Sequence, residues 1–168
     1  IPAEARAVMG HTRMTTQGSA KKNYNNHPFF GHVKEESFAL AHNGVLWNDL
    51  ELRHAKHLPR TKVQTDSYIA VQLLEQKKSL DFDSLRYMAE QVEGSFSFTV
   101  LDEQSALWIV KGDSPLSIAY FPERGVYVYA STVEILNKAL TRCGKQLGHR
   151  RTVEVEMGDL LKIDRRGH

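Results

Sequence analysis

The chain has 168 residues and a mass of 19.1 kDa, with a formal net charge of +2 and a pI near 8.7. That length suits one domain with a sizeable core, and so small a charge gives no electrostatic reason to bind nucleic acid. A single cysteine excludes an intrachain disulfide, which makes a reducing cytoplasm the expected compartment, and no run of ~18 apolar residues offers a membrane span.

The chain opens at Ile1 rather than at an initiator, so the true N-terminus is expected upstream. Residues 5–13 read as a buried strand, and 17–30 as a long polar loop rich in Asn, Lys and Gly, a length usually tied to function. A second strand is expected over 37–41. Residues 46–58 predict a helix capped by Asn48, with Leu50, Leu52, Ala55 and Leu58 on its apolar side and Pro59 ending it. Thr65-Asp66-Ser67 offers caps for a helix over 67–76 that turns Ile69, Val71, Leu73 and Leu74 inward. Another helix is expected over 81–93, with Asp83 or Ser84 near its start and Leu85, Met88, Ala89 and Val92 on one face. After Gly94 the pattern turns to short β-branched and aromatic runs at 95–101, 106–111, 116–121 and 126–130, separated by turn residues. Ser131 or Thr132 caps a helix through Leu140, residues 152–156 and 159–163 read as a hairpin around Met157-Gly158, and the tail 165–168 is expected to fray. With no repeat and no linker, the pattern is that of a single α+β domain over 1–168.

The chemistry concentrates between Gly10 and Gly44. Arg13 closes the first expected strand, where a guanidinium offers a rigid fork for a carboxylate, and Thr15 and Thr16 add hydroxyls beside it. Asn43-Gly44 closes the second; an amide side chain next to a backbone N–H that no Cβ shields could serve as a pair of oxyanion donors. Each feature has an ordinary counterpart. Asn-Gly is more often only a turn, a lone Arg is more often a solvated charge, and Asp66 at a helix start can be a cap favoured by the dipole. The eight histidines hold no metal-ligand spacing beyond His54-x-x-His57, so no metal is expected, and His11, His27 and His42 read as structural. Cys143, next to Gly144 and with no histidine beside it, reads as a semi-buried inert thiol. Lys21-Lys22 and Gly148-His149-Arg150-Arg151 read as solvated basic spots.

Taken in order, the motifs are more specific. His11-Thr12-Arg13, Asn25-Asn26-His27-Pro28, His42-Asn43-Gly44 and Thr65-Asp66 are followed by Glu93-Gly94-Ser95-Phe96, Gly112-Asp113-Ser114-Pro115-Leu116, Tyr129-Ala130-Ser131 and Met157-Gly158-Asp159. This series resembles the glutaminase domain of class II glutamine amidotransferases, which are N-terminal nucleophile hydrolases. The resemblance implies a four-layer αββα sandwich of two antiparallel sheets. It implies that Arg13, helped by Thr16, holds the α-carboxylate of glutamine, that Asp66 takes its α-ammonium, and that Asn43 and the Gly44 amide form the oxyanion hole. It also implies an N-terminal cysteine nucleophile whose own amine is the base. No such residue is present here, and the expectation is of about three quarters of a domain, without its first strand and inactive by itself. Met14 and Gln17 depart from the aromatic and the His common in the sugar-phosphate-forming members. The implied partners are glutamine and an ammonia-accepting synthetic domain or subunit outside this chain, with homo-oligomerisation left open. No cofactor, nucleic acid or membrane is implied. The rival expectation is a non-catalytic amino-acid-binding or regulatory domain on the same fold.

Overall fold

A computed structural model describes residues 3–12, 17–143 and 147–164 of the chain. Arg13, Met14, Thr15 and Thr16, and the tail 165–168, lie outside the described residues.

Two antiparallel sheets carry the fold. After a short 3₁₀ turn at Asn23–Asn25 come β1 (Phe29–His32) and β2 (Ser37–Leu46), then helices α1 (Asp49–Ala55), α2 (Tyr68–Lys77) and α3 (Phe82–Gln91). Strands β3 (Gly94–Asp102), β4 (Leu107–Lys111), β5 (Ser117–Phe121) and β6 (Val126–Ala130) follow, then α4 (Val133–Cys143), β7 (Arg151–Val153) and β8 (Leu160–Ile163). The first sheet has the order β1-β2-β3-β4-β8, and the second the order β6-β5-β7. Helices α1–α3 form one layer against the first sheet, and α4 packs on β6 of the second, giving the expected αββα arrangement.

The larger core lies between the first sheet and its helices. Phe38, Leu40, Phe98, Val100 and Val110 project from the strands onto Ile69, Leu73 and Leu74 of α2 and Leu85 and Met88 of α3. Helix α2 is buried almost all round, from Ile69 to Leu74. It approaches β1 closely because Gly31 has no side chain there: a Cβ at Gly31 would stand 2.7 Å from Cγ1 of Val71. Each large apolar side chain so buried contributes roughly 1.5–3 kcal/mol. Asp81 caps the start of α3, and its carboxylate accepts a 2.7 Å hydrogen bond from the Ser84 N–H. That bond holds the Asp81 carboxyl below its ordinary pKa. No helix among the described residues is long and apolar enough to cross a membrane.

Several local expectations are corrected. Residues 3–12 form no strand; Ala7 and Val8 instead line a gap between the sheets beside Leu101, Leu107 and Tyr127, and the Met9 sulfur accepts a hydrogen bond from the Thr99 hydroxyl. Phe29–His32, half of it read as loop, is a strand whose residues alternate buried and exposed. Asn48 stands at the N-cap of α1 without capping it: its amide donates to Gln91 O and its carbonyl accepts from Glu93 N, tying α1 to the end of α3. β7 and β8 do not form a hairpin. β7 pairs with β5 and β8 with β4, because the turn at 156–159 binds the end of β4, through Gly158 N to Lys111 O and Lys111 N to Asp159 O, and crosses between sheets. Cys143 is exposed rather than semi-buried.

Candidate active site

The site is built on the far end of β2. That strand does not stop at Ala41; it continues through His42, Asn43 and Gly44 to Leu46, paired with β3 in unbroken register, Asn43 opposite Ser97 and Gly44 opposite Phe96. Asn43-Gly44 is therefore not a turn. Strand alternation then assigns the neighbours to opposite faces. His42 points to the helices, stacking on Phe98 at 4.7 Å between ring centroids. Ala41 and Asn43 point to the second sheet, where with Ser97, Thr99, Leu116 and Tyr129 they line a cleft of about 580 Å³. A second opening of about 490 Å³ meets it at His11, Thr12, His42 and Asn43, and is closed by Gly44, Thr65 and Asp66.

Gly44 is required by its surroundings. Its φ is +139°, and a Cβ built there would sit 1.9 Å from the Ser95 carbonyl oxygen. Gly94, opposite Leu46, has φ +142° and would place a Cβ 2.2 Å from Val45 O. The two glycines let β2 and β3 close together where the site forms.

Asp66 is buried at the head of α2, yet its carboxylate does not cap that helix. Oδ2 accepts a 2.7 Å bond from Leu46 N at the end of β2, and Oδ1 stands 3.4 Å from the Ser67 hydroxyl. The Asp66 N–H donates to Oε1 of Gln17 at 3.0 Å. The 17–26 loop is pinned to the same segment by Asn25, whose amide donates to Gln64 Oε1 and whose carbonyl accepts from Gln64 N. Gln17 was singled out from the sequence only as a departure; the structure places it against the candidate ammonium ligand.

His42 is held at both ring nitrogens: the Ser95 carbonyl can only accept, so Nε2 donates to it at 3.2 Å, and Nδ1 shares a 2.8 Å hydrogen bond with the Ser67 hydroxyl. Burial pushes its pKa below the ordinary value, against the pull of Asp66. The His42 carbonyl in turn accepts from Nε2 of His11 at 3.0 Å, and the His11 ring lies 4.3 Å from that of His27, tilted by 38°. His11, His27 and His42 all line the opening. Among the described residues no group of three His, Cys, Asp or Glu side chains is placed to hold a metal ion.

Of the five candidate site residues, Asn43, Gly44 and Asp66 come together around one opening. Arg13 and Thr16 lie outside the described residues, one and four positions beyond Thr12, which lines it. Thr65, Ser67 and His11 were not singled out as binding residues; they are recognisable only once β2 and α2 are side by side.

Comparison with known proteins agrees with this arrangement. The profile of the family described as "Glutamine amidotransferase domain" matches residues 11–138. Glutamine–fructose-6-phosphate aminotransferase (isomerizing) from Lactococcus lactis is 32% identical over 126 residues, covering 70% of this chain and 20% of that protein. 7-Cyano-7-deazaguanine synthase from Saccharolobus solfataricus is 30% identical over 125 residues, covering 71% of this chain and 26% of that protein. Glutamine phosphoribosylpyrophosphate amidotransferase from B. subtilis, solved with ADP and GMP, superposes with a TM-score of 0.68 at 25% identity, over 88% of this chain and 32% of that one. The chain thus spans about a fifth to a quarter of these curated relatives. A profile match over most of the chain, agreeing in fold with a solved amidotransferase and in order with the motifs around the cleft, leads to one assignment: the chain belongs to the glutamine amidotransferase domain family.

Proposed function

We propose that these 168 residues form the greater part of one domain that binds glutamine and, in the intact protein, hydrolyses its side-chain amide to glutamate and ammonia for a synthetic domain or subunit outside this chain. The observation that carries the reading is the convergence of Asn43, Gly44 and Asp66 on one opening. Arg13 and Thr16 take the substrate carboxylate and Asp66 its ammonium. A thiolate attacks the amide carbon, the carbonyl oxygen takes up the negative charge, and Asn43 and the Gly44 N–H stabilise it. Ammonia leaves, and water then cleaves the thioester. The thiol is supplied by an N-terminal cysteine that is not among these residues. Cys143 does not substitute for it: it is exposed at the end of α4 and is not one of the residues that line the opening. The compartment proposed is the cytoplasm.

The test is ammonia release from glutamine by the full-length protein, alongside the 168-residue chain. The full-length protein should be active and the shorter chain silent. In the full-length protein Asp66→Asn should chiefly raise KM, because it removes the charge facing the substrate ammonium while its amide oxygen can still accept from Leu46 N. Arg13→Ala should weaken glutamine binding by ~1.5–3 kcal/mol, and Arg13→Lys should restore only part of it. An inactive full-length protein that still binds glutamine would favour the rival reading, a regulatory amino-acid-binding domain. Activity of the short chain that is lost in Cys143→Ala would remove the N-terminal thiol from the scheme.

A further inference from the structure

The Gly112–Leu116 segment matches no role in the scheme above, yet it is bonded to the site at several points. The Asn43 amide Nδ2 donates to Pro115 O at 3.2 Å. One residue earlier, Ser114 O accepts from the buried Ser97 hydroxyl at 2.6 Å, and Ser114 N donates to Phe96 O at 3.2 Å. One residue before that, Oδ1 of Asp113 accepts from Phe96 N at 2.9 Å. Gly112 lies so close to β3 that a Cβ there would stand 2.3 Å from Phe96 O. Phe96 and Ser97 are the register partners of Gly44 and Asn43. The two residues of β3 that pair with the candidate oxyanion donors therefore also anchor the loop whose carbonyl holds one of them.

An asparagine amide presents two N–H donors on one end and an acceptor on the other, and rotation by half a turn exchanges them. A donor aimed at a developing oxyanion must not present its oxygen instead. The Pro115 carbonyl can only accept, so it selects the orientation in which Nδ2 faces it, and the second N–H on the same nitrogen is the one left for the cleft. We propose, on the basis of the oxyanion assignment above, that Asp113 is a positioning residue for Asn43: by accepting from Phe96 N it fixes the loop that places Pro115 O, and through it the donor end of the Asn43 amide. Asp113 is exposed, so its side chain fills no space in the core.

The experiment is a mutant cycle on the full-length protein, read as glutamine-dependent ammonia release with kcat and KM separated. Asp113→Ala should lower kcat about tenfold, the worth of one hydrogen bond of this kind, with KM unchanged. Asp113→Asn, which keeps an oxygen for Phe96 N, should stay near wild type. In an Asn43→Ala background, Asp113→Ala should have no further effect on kcat, because the group it positions is gone. A drop of the same size in that background, a change confined to KM, or no recovery in Asp113→Asn would each overturn the proposal. Thermal melts decide whether a lost activity is lost fold: a fall in melting temperature shared by the alanine and asparagine variants counts against it. If Asn43→Ala itself leaves kcat untouched, the oxyanion assignment fails with it; if Asn43→Ala is slow and Asp113→Ala is not, only the positioning role fails.

Discussion

Asn43→Ala in the full-length protein should lower kcat for glutamine hydrolysis by ~10²–10³ with little change in KM. The expectation follows from where the side chain stands. Asn43 projects from a paired strand into a cleft, not from a turn, so the strand sets its position before substrate arrives. A donor placed in that way acts chiefly on charge that appears in the transition state, and its loss leaves ground-state contacts intact. The fold should tolerate the change, since the side chain is only half-buried and its one described bond is to a loop carbonyl. Steady-state kinetics on variant and wild type, with matching melting curves, measure it. A raised KM at constant kcat would move Asn43 from the oxyanion to the binding pocket.

Gly44→Ala should be the most damaging single change to the fold near the site. An alanine at φ +139° occupies a backbone region that L side chains rarely adopt, at a cost of about 1–3 kcal/mol. Its Cβ would also overlap Ser95 O, which is fixed in the β2–β3 ladder and cannot swing away as a flexible side chain would. Forced separation of a packed pair adds about 1–3 kcal/mol more. Against a total stability of ~5–15 kcal/mol, the melting temperature should fall by roughly 10 °C, and activity should fall with it as the Gly44 N–H moves. Calorimetry on the described chain measures the first effect. An unchanged melting temperature would mean that the strands part easily here, and the case for a rigid oxyanion site would be lost.

How much of this could be read in advance depended on how local the cause was. Helices α2 and α3 and strands β3 to β6 were legible because their apolar spacing and turn residues are properties of short windows. The end of β2 was not. Asn-Gly locally signals a turn, and what carries the strand past it is Phe96 and Ser97, some fifty residues later. For the same reason residues 152–163 read as a hairpin: two short runs around Met157-Gly158 have one local pattern whether they pair or part, and the bonds from Lys111 decide. β1 was obscured by a glycine in its middle that is there for α2. In the candidate site, Asn43, Gly44 and Asp66, which line one opening, were legible as residue types in order. That Asp66 anchors Leu46 rather than capping α2 was not, because helix-start position predicts a cap and only the tertiary fold brings the β2 end within reach.

The two cores are unequal, and this divides the walls of the cleft into a firm one and a yielding one. Asn43 belongs to a five-stranded sheet seated on three helices, whereas Tyr129, Ala130 and Ser131 belong to or follow a three-stranded sheet whose buried cluster is Ala119, Phe121 and Leu136. Among the described residues this second layer has three strands and one helix, close to the least that holds together. Local opening should therefore be cheapest on the side of β5, β6, β7 and α4, well below the free energy of global unfolding. Within these residues Asn43 and Gly44 would be mounted on the part that moves least, and the space opposite them could widen for reactant and product without disturbing their alignment.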